Sequence, residues 1–276
     1  MVNQHSAILR LLDDDDAATV TLVQQKLAET ESLNALRGLR AVAGGRAARH
    51  LDHLIREIAS RNADTAFFEQ CRTFGESGDI EEASWQLAAT FYPGSDFLAQ
   101  REAIDRWGDE VAARLSGVLT RSDRVAVLSD YLGLEVRLRG NDDDYYNVDN
   151  SLLPRVIETG LGIPITLSLV YILVGRRAGL NVEGVGLPGH FLARHEDVFF
   201  DPFHGGRRVG LEECAKLMEQ QNLVLTPQHL LPTTPRQMLT RMLTNIHYIA
   251  EQHDPPLAAR TTTWLEALRE GSAKQS

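Results

Sequence analysis

The chain reads as an α+β protein in which many helices surround one small antiparallel sheet. Three observations lead there. Ile163 to Val174 is an apolar run without a single charge. Three short β-like runs follow it, Val182 to Leu187, His190 to Arg194 and Val198 to Pro202. Almost everything before and after repeats apolar residues at helical spacing.

The apolar run predicts a buried core helix. Pro164 suits a first helical position, where the missing N–H costs nothing. Arg176 and Arg177 fall in the last turn, where cations favour the helix dipole. Gly179 suits the left-handed position that ends a helix. The run is too short for a membrane span, which needs about 20 apolar residues.

The β-like runs carry the chemistry. HFLAR and VFFDP flank His195-Glu196-Asp197, a polar break that suits a tight hairpin. Side chains alternate faces along a strand. With an even loop, His190 and Asp201 share a face and come within imidazole–carboxylate reach; with an odd one they part. An Asp beside a His fixes its tautomer and supports its cation. The pair is two thirds of a nucleophile–His–Asp relay, but taken alone it reads first as a structural hydrogen bond inside a sheet, since such pairs are common.

Composition narrows the classes. A chain of 276 residues holds one or two domains at about 150 residues each. Hydrophobic residues make up 43% and charged residues 24%, ordinary for a globular protein. A formal charge of -10 repels phosphate backbones, so no nucleic acid partner is expected. Cys71 and Cys214 lie far apart in sequence and form neither a disulfide framework nor a zinc motif. A cytoplasmic location is the simplest reading. The start, MVNQHSAILRLLDDDD, lacks a basic segment followed by an apolar one, so no signal peptide is expected.

Residues 5 to 70 show successive helical stripes: Ile8, Leu11 and Leu12; Val20, Val23 and Leu27; Leu33, Leu36 and Leu39; Leu51, Leu54, Ile55 and Ile58. Asp13 to Asp16 interrupt the first two and suit a capping loop better than a calcium loop. Ile80, Ala83, Leu87 and Ala88 keep helical phase until Pro93-Gly94. Ala103 to Leu119 and Val125 to Leu138 read as two further helices, with Trp85 and Trp107 as core residues. RGNDDDYYNVDNS reads as a loop, with Asn150 or Ser151 capping a helix from Leu152. Asp142 to Asp144 are consecutive and make a poor cation cage. His204-Gly205-Gly206 reads as a turn, and Leu211 to Met218, Met238 to Ile249 and Ala258 to Leu268 as helices, with Pro255-Pro256 as a break.

IEEASWQLAATFYP, RGNDDDYYNVDNSLLPRVIETGLGIPITLSLVYI, GVGLPGHFLARH and FFDPFHGG together resemble the SirB-type proteins of the transglutaminase-like core superfamily. The likeness runs from Ile80 to Cys214, and more weakly to Ile249. It implies a papain-like α+β core, in which a helix packs on a small antiparallel sheet with a cleft between them. It also implies a HEAT-like helical region over 1–75, the core over 76–225 and a TPR-like helical hairpin over 226–276. The cleft would be lined by Tyr146 and Asn150 from the loop, Pro164, Pro188 and Gly189, and Phe203.

In active members of the superfamily a Cys opens the core helix, with a His and then an Asp on later strands. The last two carry over to His190 and Asp201. The Cys does not: Ile163, Pro164, Ile165 and Thr166 stand at the helix start. Proline is no nucleophile, and Thr166 and Ser168 are the nearest hydroxyls. The leading expectation is therefore a non-catalytic protein whose cleft binds a peptide or protein segment, without cofactor or metal. The alternative is an amidase, acyltransferase or peptidase with a displaced nucleophile. In that case Thr166, within about 3 Å of the His190 imidazole, or a spatially close Cys71 would attack. A third reading is a scaffold that works through its helical ends.

Overall fold

The computed structural model describes residues 2–273, with side chains from 5 to 271. By internal packing the described residues form two compact units, one from the start of the chain to residue 66 with 89–95, the other 67–88 with the residues from 96 onward.

The first unit is helical. It holds α1 (Val2–Leu12), α2 (Ala17–Thr30), α3 (Leu33–Val42) and the first part of α4 (Gly45–Thr73). The stripes read from the sequence meet in one core: Leu12, Val20, Leu27, Leu36, Leu39, Leu51, Leu54 and Ile58. The acidic run is a set of caps. Asp16 accepts N–H bonds from Ala18 and Thr19 at the start of α2. Asp13 accepts from Arg46 and Ala47 at the start of α4. Ser32 caps α3. Each such bond satisfies a helix-end donor that would otherwise lack a partner.

The second unit is built on the apolar run. It contains the end of α4, most of α5 (Ile80–Phe91), α6 (Leu98–Arg114), α7 (Arg121–Ser129), α8 (Leu153–Thr159), α9 (Pro164–Arg177), α10 (Leu211–Glu219), α11 (Pro235–His253) and α12 (Pro255–Ala273). Its strands are β1 (Arg139–Gly140), β2 (Leu161–Gly162), β3 (Val182–Leu187), β4 (His190–His195), β5 (Val198–Asp201) and β6 (Arg207–Val209). α9 has Pro164 in its first turn, Arg176 and Arg177 in its last, and Gly179 at φ +76° just beyond. Every residue from Pro164 to Gly175 is buried. Burying a large aliphatic side chain is worth about 1.5–3 kcal/mol, so this helix contributes substantially to core stability. Among the described residues no helix is long and apolar enough to cross a membrane.

The main sheet is antiparallel, in the order β3-β4-β5-β6. Gly184 and Phe200 turn toward α9, where Phe200 meets Tyr171 at 5.9 Å between ring centroids. A Cβ on Gly184 would stand 3.6 Å from Ile172, and one on Gly175 of α9 would stand 2.5 Å from Val182, so helix and strand touch closely. Val185, Leu187, Leu192 and Val209 form a second cluster with Cys214 and Met218 of α10. The layers are thus α9, sheet and α10. The β4–β5 loop is Glu196-Asp197, even in length, since His195 pairs with Val198.

Several boundaries differ from those the sequence suggested. β6 follows directly on the expected His204-Gly205-Gly206 turn, where no strand was expected, and β1, at the start of the segment expected to be loop, pairs in parallel with β2 just before α9. The helix expected to continue to Leu138 ends at Ser129 and passes into a single π-turn, Asp130–Glu135. A close approach accompanies this change: a Cβ on Gly133 would stand 2.2 Å from the carbonyl oxygen of Gly205. α8 begins at Leu153 with Leu152 as N-cap and no side-chain cap, so neither Asn150 nor Ser151 caps it. Both instead lie buried in a 3-10 turn, Val148–Ser151, capped by Asn147. Pro255 does end α11, and it also opens α12, as a proline at a first helical position can.

The Gly133 contact yields a test. Gly133→Ala is expected to cost roughly 1–3 kcal/mol, because a backbone oxygen cannot swing aside as a side chain can. Gly38→Ala, mid-helix in α3 with nothing within 4 Å, is expected to be neutral or to gain about 1 kcal/mol. Urea unfolding midpoints measure both; equal midpoints for the two variants would contradict the close contact.

Candidate functional site

His190 opens β4 and Asp201 closes β5, so both stand at the same end of the sheet. Ala193 pairs with Phe200. One further step of that register sets Asp201 opposite Leu192 and diagonal to His190 on the same face. The imidazole Nε2 of His190 lies 2.9 Å from Oδ2 of Asp201. The expected pairing is therefore present.

Local backbone features fix both residues. Pro188 and Gly189 form the tight β3–β4 turn, with Gly189 at φ +75°, a conformation that favours glycine. The Arg241 guanidinium of α11 donates to the carbonyls of Leu187 and His190 at 2.9 and 2.8 Å, clamping the turn from both sides. After Asp201 the chain makes a 3-10 turn, Pro202–His204, closed by Gly205 at φ +69°. Oδ1 of Asp201 accepts the Phe203 N–H at 3.0 Å, and its main-chain oxygen accepts from Gly206 at 2.8 Å.

Asp201 is 1% exposed. Burial alone would raise its carboxyl, but the bonds and charges of His190 and then His204 hold it below the usual carboxylate range. His204 was read from the sequence only as a turn residue. Its Nδ1 lies 2.7 Å from the same Oδ2. The three-residue spacing in Asp-Pro-Phe-His was the available signal: a proline-started 3-10 turn brings positions i and i+3 together. Arg207, opposite Asp201 in β6, approaches Oδ2 to 3.9 Å while pairing with Glu213. Missing β6 meant missing this cation too.

What meets the His190 ring is aromatic. Phe203 stands edge to face at 6.3 Å, and the His204 ring lies tilted at 6.2 Å. Phe203 packs over the backbone of Gly140 and against Tyr145. Tyr171 of α9 has its hydroxyl pushed up by burial and by the nearby Asp201 charge. Asn150, expected as a lining residue, is 3% exposed. It holds the 141–147 loop together through Asn141, Asp144 and Tyr145, and its carbonyl accepts from Ile163 at the start of α9. Tyr146 is exposed, its ring tilted against that of Tyr248 of α11 at 5.9 Å. Tyr145, Tyr146, Ile163, Thr244, Asn245, Tyr248 and Ile249 line a cavity of about 250 Å³ at the leading end of α9.

The proposed nucleophiles do not join the pair. Thr166 is fully buried, and its Oγ1 has no hydrogen-bond partner, so it is neither poised on His190 nor bonded to its own helix. Cys71 is buried in α4 with its thiol pushed up to about 12. Cys214, on α10, is raised by burial and by Glu213.

A model of the transglutaminase-like superfamily matches residues 99–244, more than half the chain. The chain belongs to the transglutaminase-like superfamily. The match takes in α9, the whole main sheet and the His190–Asp201 pair. Among relatives of this transglutaminase-like chain, a UPF0162 protein of Xylella fastidiosa strain 9a5c is 35% identical over 193 residues, 66% of each chain. A UPF0162 protein of Pseudomonas aeruginosa is 28% identical over 185 residues, 65% of this chain and 67% of its own. F-box only protein 21 of Mus musculus is 33% identical over 98 residues, 31% of this chain and 16% of that protein. The chain thus spans about two thirds of the length of the first of these. No solved structure matches it at a significant level.

A thiol that reacts as a nucleophile must be partly ionised and reachable. Both cysteines of this transglutaminase-like chain are expected to resist iodoacetamide at neutral pH. For Cys71, which is both buried and pushed up, the rate should be far below that of a free thiol, and full reaction should require urea. Mass spectrometry of the alkylated chain measures this; rapid labelling of either cysteine in the native protein would contradict it.

Proposed function

We propose that the chain is a non-catalytic member of its superfamily, of SirB type, that binds a peptide or protein segment in the former active-site cleft. One observation carries the reading. The His190–Asp201 pair is retained in hydrogen-bond contact, yet the leading end of α9 carries Ile163, Pro164, Ile165 and a fully buried Thr166 in place of a thiol. A base with no nucleophile leaves only a remnant of catalysis.

The cavity at that end suits an apolar or aromatic side chain of a partner. Its rim is tyrosine from two elements, with Tyr146 and Tyr248 both exposed. Tyrosine supplies large contact area with a hydroxyl that tolerates water, a composition typical of recognition surfaces. Tyr145 also touches Phe203, and Phe203 touches His190, so a chain of ring contacts joins the cavity lining to the pair. The helices over 1–75 and 226–276, read as HEAT-like and TPR-like, would extend the interaction surface, and the cytoplasm is the compartment proposed.

The test is a peptide-array screen followed by fluorescence anisotropy. Tyr248→Ala is expected to weaken a selected peptide by roughly tenfold, the loss typical of a buried aromatic anchor. The second arm assays amide hydrolysis and acyl transfer. Any such activity that His190→Ala abolishes while the fold survives would overturn the proposal in favour of the displaced-nucleophile enzyme.

A further inference from the structure

We propose that His190, Asp201 and His204 form a binding site for one divalent transition-metal ion, with zinc as the best fit. The inference does not rest on the peptide-binding reading. It starts from a feature that a relay does not explain. A nucleophile–His–Asp relay needs one imidazole on its carboxylate. Here two imidazoles converge on a single oxygen, His190 Nε2 at 2.9 Å and His204 Nδ1 at 2.7 Å from Asp201 Oδ2. The three ligand atoms lie within 4.8 Å of one another.

Two neutral nitrogen donors and one carboxylate form a donor set suited to zinc, with a fourth position left open. Bonds of about 2.0–2.2 Å to a tetrahedral ion place neighbouring ligand atoms roughly 3.3 Å apart. Each His–Asp gap would therefore open by about half an ångström. His204 has room for that movement, being half exposed on a short turn, whereas His190 and Asp201 are fixed in strands. Each ring accepts the ion through the nitrogen that now faces the carboxylate. In a neutral ring the proton on that nitrogen moves to the other ring nitrogen through solvent, and no electron transfer is involved.

The supporting contacts are those a metal site needs. Asp201 Oδ1 is oriented by the Phe203 N–H, leaving Oδ2 for the ion. Phe203 packs edge-on against both imidazoles, at 6.3 and 5.3 Å. Arg207 opposes a cation here, at 3.9 Å from Oδ2, but Glu213 already pairs with it. The exposure of His204 gives an ion a way in from solvent.

The experiment uses the full chain, stripped with EDTA and titrated with zinc chloride by calorimetry in competition with a chromophoric chelator. One equivalent is expected, with a rise in melting temperature from preferential binding to the folded state. His204→Ala is expected to lose at least about tenfold in affinity, and Asp201→Asn likewise, since even outer-shell changes cost 10–100-fold. His253→Ala, on the exposed end of α11, is expected to bind as the parent does. Circular dichroism confirms that His204→Ala, a substitution on a half-exposed turn, is folded. Absence of stoichiometric binding, or equal affinity in folded His204→Ala, would overturn the site.

Discussion

A carboxylate almost wholly removed from water must find its donors within the protein, and Asp201 is the group on which this site is built. Its side chain takes the two imidazoles and the Phe203 N–H, and its main-chain oxygen takes Gly206. Losing any one donor would leave a buried charge short of a partner, a costly state. The end of β5, the 3-10 turn after it and the start of β4 are therefore bound to one another through a single side chain. The depressed carboxyl is the electrostatic sign of the same arrangement.

The surrounding layers hold that carboxylate in place. The Pro164–Gly175 part of α9 supplies an uncharged, buried platform, and the sheet comes close to it at Gly175, where a side chain would collide with Val182. Gly133 and Gly206 let the π-turn region approach the turn that carries His204. Arg241 reaches in from α11 to hold the carbonyls that flank Pro188-Gly189. Close backbone contact thus does at this end of the unit what side-chain packing does elsewhere. It keeps polar groups in fixed positions whether or not chemistry follows.

The sequence disclosed the parts of the fold that obey a period. The apolar run, its proline and glycine ends and the helical stripes were all legible, whereas the His190–Asp201 contact was legible only as one of two outcomes, which the even loop decides. What escaped was set by contacts between distant segments. β6 is three residues long and carries two arginines, so no alternation marks it. The π-turn lies where Gly133 comes close to Gly205, a neighbour 72 positions on that no local pattern announces. Asn150 looked like a cap and is a buried hub, because its partners come from a loop that folds back over it. His204 sat in a quoted motif, yet its role depended on a 3-10 turn rather than a strand. Superfamily membership is now established by the match over residues 99–244, while the absence of a thiol at the helix start was plain from the sequence alone.

The most direct measurement of the central interaction is a double-mutant cycle in stability between His190→Phe and Asp201→Asn, read from urea unfolding of the metal-free chain. A coupling of about 1–2 kcal/mol is expected, in the range for directly bonded buried groups. A coupling indistinguishable from zero would mean that the imidazole and the carboxylate act independently, and the organisation of the site around Asp201 would have to be given up.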